Sequence, residues 1–96
     1  MEIVINGKKV VLRDFVPARM GWDILVNKAE ILNKEWKDIQ FDDMATLLSI
    51  AVESWELDYD PSDPAVYEKL DTFTEFVPLV MQLDKWVNDK FGRSKN

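Results

Sequence analysis

Asn6-Gly7, set between the β-branched runs EIVI and KKVVL, constrains this chain more than any other feature. A two-residue turn of this composition takes the type I′ form, because both central positions need positive φ and the turn's twist matches that of the strands it joins. Pairing outward sets Ile5 against Lys8, Ile3 against Val10 and Met1 against Leu12 on one face, with Glu2, Val4, Lys9 and Val11 on the other. An isolated hairpin is marginal in water, so residues 2–12 must dock on a larger body or extend a sheet in a partner. Docking on helices through the first face is the expectation.

The rest of the chain supplies that body. Residues 42–57, DDMATLLSIAVESWEL, place Leu47, Ala51, Met44, Trp55, Leu48, Val52 and Ala45 on one helical arc roughly 160° wide, with Thr46, Ser49, Glu53 and Glu56 opposite. This predicts a central helix capped by Asp42. An earlier helix is predicted over about residues 18–32, with Asp14 as its cap and Pro17 in its first turn. It carries two apolar stripes: a broad one of Ala18, Trp22, Leu25, Val26, Ala29 and Leu32, expected in the core, and a narrow one of Met20, Ile24 and Ile31. Two outcomes fit the narrow stripe: cover by the hairpin, or exposure as a contact surface for another copy or a partner helix.

Residues 33–40 read as a connection in which Trp36 plugs a core edge. Asp58, Asp60 and Ser62 match the first ligand positions of a calcium-binding EF-hand loop, but Asp63 and Lys69 stand where that geometry needs glycine and a bidentate acid. No metal site is expected there. Instead Asp63 caps a short helix that starts at Pro64 and points Val66, Tyr67 and Leu70 inward. Thr72 with Glu75 fits a capping box for a last helix, whose stripe of Phe76, Val80, Leu83, Val87 and Phe91 is flanked by Leu79 and Trp86. Pro78 lies near its start, Gly92 is its terminator, and residues 92–96 form a short basic tail. The fold class is therefore α+β and mostly α: one domain over residues 1–96, with a hairpin followed by a compact bundle of about four helices within residues 17–91.

With neither cysteine nor histidine, the chain lacks the commonest general base, the commonest metal ligand and the activated thiol. No phosphate-cradling or nucleophile-elbow motif is present, and only three glycines exist to build one. A catalytic role and a cofactor are not expected. No apolar run is long enough to span a bilayer and no secretory leader pattern opens the chain, so a soluble cytoplasmic protein without a membrane partner is expected. The net charge of −6 is unevenly spread: residues 38–84 hold twelve acidic side chains against one basic, while both flanks are mildly basic. That middle would repel nucleic-acid phosphates. It serves as a solvated face, as an acidic surface for a basic partner, or as a decoy that fills a nucleic-acid groove on another protein.

A small acidic chain that opens with the hairpin Ile5-Asn6-Gly7-Lys8 and continues as short helices without cysteine or histidine resembles the tail assembly chaperones of long-tailed bacteriophages. The resemblance implies a non-enzymatic protein that binds the aggregation-prone tape measure protein during tail assembly and is absent from the finished particle. It brings no catalytic motif. A holdase needs apolar surface to share with a client or another copy, and the expected protein-binding residues are Met20, Ile24 and Ile31 with the hairpin's outer Val4 and Val11.

Overall fold

The computed structural model describes residues 1–92, with Trp36 described by its backbone alone; residues 93–96 of the expected basic tail 92–96 and the expected Trp36 plug lie outside the described residues. In chain order it holds β1 (Glu2–Ile5), β2 (Lys8–Leu12), α1 (Ala18–Asn27), α2 (Ala29–Leu32), a 3-10 turn (Trp36–Asp38) and α3 (Phe41–Ala51). There follow β3 (Val52–Trp55), a 3-10 helix (Pro64–Lys69), a π-helical turn (Thr72–Phe76) and α4 (Val77–Phe91). The fold is α+β and mostly helical, as the sequence pattern implies.

Asn6 and Gly7 both take positive φ, 50° and 75°, and the pairs Ile3 with Val10 and Ile5 with Lys8 follow the expected register. The sheet nevertheless has three strands, in the antiparallel order β1-β2-β3. Residues 42–57 are thus not one helix. α3 ends at Ala51 because the chain leaving β2 takes its terminal carbonyls: the Arg13 backbone N–H donates to Ala51 O at 2.9 Å and Arg13 Nε donates to Ile50 O at 2.7 Å. Val52 then turns to extended backbone (φ −83°, ψ 116°), and β3 pairs with β2. An irregularity in the ladder between Val11 and Leu12 leaves one extra residue on β3. It allows Val52 and Trp55, three apart, to face the core together.

α3 and α4 pack against each other and complete that core with Leu48, Ala51, Leu79 and Trp86. The Trp86 indole N–H donates to Arg13 O at 2.8 Å, so Arg13 ties the sheet, the end of α3 and the middle of α4 together. Gly92 ends α4 in the left-handed region at φ 63°, as expected. Asp63 caps the 3-10 helix by accepting from the Ala65 N–H at 3.0 Å. The expected Thr72 box is shifted by one residue. Asp71 accepts from the N–H groups of Phe73 and Thr74, while Glu75 accepts from the Asp71 N–H at 2.8 Å, because the opening turn is π-helical and carries one residue more than an α-turn.

Two further caps differ from expectation. Asp14 pairs with the Met1 amino group at 2.8 Å, leaving Pro17 at the start of α1, and the cap of α3 lies two residues earlier than expected, at Gln40 rather than Asp42. The expected helix 18–32 is broken at Lys28 (φ −121°, ψ 11°). Asp23 accepts from Asn27 Nδ2 at 2.7 Å and Lys28 Nζ at 2.6 Å, which closes the end of α1. The break re-aims α2, so Leu32 is buried although Trp22, Leu25 and Val26 of the same expected stripe are not.

Candidate functional site

α1 faces the core with the side opposite to the expected one. Ile24, from the narrow stripe, is 0% exposed and belongs to the hydrophobic core, and Met20 is half-buried. Ile31, in α2, is half-buried against that core. Ile24 is therefore not an exposed contact residue: only one stripe of a surface helix can face the core, and here the narrow one does. Val4 remains exposed, while Val11 is half-buried in the central strand beside Ser54. The two valines share the sheet's outer face, which also carries the Lys9–Glu2 ion pair.

What reaches solvent instead is the broad stripe. Trp22 is 69% exposed, Leu25 and Val26 are exposed beside it, and Phe15 in the segment leading into α1 is 77% exposed. At 100° per residue Leu25, Ala18, Trp22 and Val26 fall within an arc of about 100°. Counting Phe15, such side chains together present apolar surface on the order of 400–500 Å². Periodicity finds the stripe but reads it as core; the wheel has no term for which of two stripes meets the sheet and α4.

A second apolar feature runs between α4 and the start of α3. Ile39, Phe41, Met44, Phe76, Val77 and Val80 line a groove of about 230 Å³, with the Phe41 and Phe76 rings stacked at 5.0 Å. Ile39, Met44 and Val80 also line a narrower cleft of about 30 Å³, which continues past Ile31, Leu83 and Val87 to Lys34 and Asp84. Phe73, 82% exposed, and Met81 flank Val77 at four-residue spacing. Neither residue belongs to the buried stripe of α4, and the sequence pattern alone assigns them nothing.

The acidic middle has few cations of its own: Lys69 is the one basic side chain between Asp38 and Asp84. Among the described residues, none of the eleven acids from Asp38 to Glu75 takes part in an ion pair. Several do internal structural work. Asp71 is held below the ordinary carboxylate range by the Thr74 backbone N–H and hydroxyl, and Asp60 by the backbone N–H and hydroxyl of Ser62. Asp60 thus closes a turn, and no group of three or more acids among the described residues is placed to hold a metal ion. Burial, with a smaller contribution from the charge of Asp60, pushes the Tyr67 phenol well above its usual range, and its O–H donates to Pro61 O at 2.7 Å. No helix among the described residues is long and apolar enough to cross a membrane. Comparison with known protein families, with curated proteins and with solved structures finds no match to this chain.

Proposed function

We propose that this chain is a non-catalytic protein-binding module, and that it acts as a tail assembly chaperone of a long-tailed bacteriophage, holding a tape measure protein soluble during tail morphogenesis. The observation that carries the reading is the solvent-facing row of Trp22, Leu25 and Val26 with Phe15 nearby in sequence. An acidic, soluble chain gains nothing in stability from an exposed indole and phenyl ring, whereas an apolar helical client or a second copy would bury both. The host-cell cytoplasm is the location that goes with this role.

The test pairs solution mass with aggregation. Light scattering of the purified chain over a concentration series at low and high salt, and turbidity of an apolar tape measure fragment with and without it, are measured for the parent and for Trp22→Ser/Leu25→Ser. The expected result is suppression of aggregation that survives high salt and is lost in the double variant. A parent chain that leaves turbidity unchanged would sink the proposal. The acids from Asp38 to Glu75, none of them in an ion pair among the described residues, favour a second reading, an acidic inhibitor that mimics nucleic acid. Low-salt binding to a basic nuclease, lost steeply as salt rises and unaffected by the double variant, would favour it.

A further inference from the structure

The geometry points to a second binding site, separate from the α1 face: the groove between α4 and the start of α3 takes a basic amphipathic helix from a partner protein. Its floor is apolar, formed by Ile39, Met44 and Val80, and the stacked Phe41 and Phe76 form part of its wall. Lining residues from Val77 to Val87 on α4 span about 15 Å at 1.5 Å per residue, the length of about three turns of a docked helix.

The charge beside this furrow specifies the occupant. Asp38, Asp42 and Asp43 stand next in the chain to the lining residues Ile39, Phe41 and Met44, and none of the three is in an ion pair among the described residues. Asp84 lines the narrow end, where Lys34 is the one cation in the lining. An apolar furrow with an acidic border complements a helix with an apolar row at i, i+3, i+4 and i+7 flanked by lysine or arginine. A helix also arrives with its own backbone hydrogen bonds made, so the side-chain-lined groove leaves none of its N–H or C=O groups unpaired. Met44 in the floor and Met81 on the shoulder beside Val77 let such a surface adapt to different apolar rows. The same acidic middle of a second copy would bring like charge to that border.

The experiment uses the full chain and a fluorescein-labelled helical peptide of about three turns, with leucines at those spacings and lysines elsewhere, beside a counterpart carrying glutamates for lysines. Fluorescence anisotropy is read for the parent, Phe41→Glu, Asp42→Asn/Asp43→Asn and Leu25→Ser, each checked for native circular dichroism. The lysine peptide is expected to bind at least about tenfold tighter than the glutamate peptide, with affinity falling as salt rises. Asp42→Asn/Asp43→Asn should weaken it about threefold or more, Phe41→Glu should abolish it, and Leu25→Ser should leave it unchanged. Equal binding of the two peptides, binding that Leu25→Ser removes and folded Phe41→Glu does not, or no saturable binding of the lysine peptide would each overturn the assignment. Because Leu25→Ser reports on the α1 face alone, a failure here and a failure of the chaperone reading are told apart.

Discussion

α4 and α1 are both amphipathic helices with wide apolar stripes, yet one stripe is buried and the other faces solvent. In α4, Leu79, Val80, Leu83, Trp86 and Val87 all enter the core, and the indole of Trp86 is bonded to Arg13 O. In α1 the single fully buried side chain is Ile24, and the helix's main neighbour is the short α2. The difference lies in what surrounds each helix. α4 lies against α3 and the chain leaving the sheet, so any outward rotation would break the bond between the buried Trp86 indole and the part-buried Arg13 carbonyl as well as expose apolar area. α1 is held at its C-terminal end by Asp23 and Lys28, and is free to meet the body with its narrower side. An apolar stripe therefore states how much surface a helix can bury, and its neighbours decide whether it does.

The sharpest way to break this comparison uses adjacent residues of α1. Ile24→Glu places a carboxylate in the core without a partner and should cost several kcal/mol, about 3–5, or prevent folding outright. Leu25→Glu, one position on, adds the same charge on the exposed face and should change stability by less than about 0.5 kcal/mol. Urea denaturation followed by circular dichroism reads both. Equal losses would mean that α1 is rotated so that its broad stripe is covered.

A smaller effect sharpens the other side. Leu79→Ala in α4 removes a fully buried side chain and should cost about 2–5 kcal/mol, depending on how far the core collapses around the gap. Val26→Ala in α1 removes a side chain already in water and should fall within about 0.5 kcal/mol of the parent, aided by alanine's higher helix propensity. If Val26→Ala costs as much as Leu79→Ala, the exposed face is an internal interface and the proposed binding role loses its surface.

The same contrast explains what the sequence made legible. The Asn6-Gly7 register, the Asp63-Pro64 helix start, the α4 stripe and the Gly92 stop are written in local chemistry, and each stands where the residues place it. Ala51-Val52 is different. VESW suits the last turns of a helix as well as a strand, and the choice is made by hydrogen bonds to residues about forty positions away: Arg13 to Ala51, and the Glu56 N–H to Lys9 O. The exposed apolar face of α1 was legible only in half, since the wheel shows two stripes on α1 while the docking that hides one of them is tertiary. The α3–α4 groove was less legible still. Phe41 and Phe76 are 35 residues apart, and only the fold stacks them.

The gentlest probe compares one carboxylate at each helix. Asp71 caps the turn that opens into α4 and is held below the ordinary carboxylate range first by the Thr74 backbone N–H; Asp23 in α1 is lowered first by Asn27 and then by Lys28. A carboxylate whose folded pKa lies below its unfolded value contributes stability that is fully present above the unfolded value, near 3.8, and is lost as pH falls through the folded value. Both groups are therefore expected to release their contribution only on the acid limb, with no change between pH 5 and 8. Asparagine caps a helix about as well as aspartate, so Asp71→Asn should leave neutral-pH stability nearly unchanged while flattening the acid limb. Asp23→Asn should flatten it too, but should also loosen the Lys28 closure of α1 at neutral pH, because the ammonium loses its anion. Amide exchange resolved along the chain separates the two: the Asp23 variant should speed exchange at the end of α1 while α4 stays protected, and faster exchange throughout α4 would mean that α1 is a structural support of the core rather than a surface laid upon it.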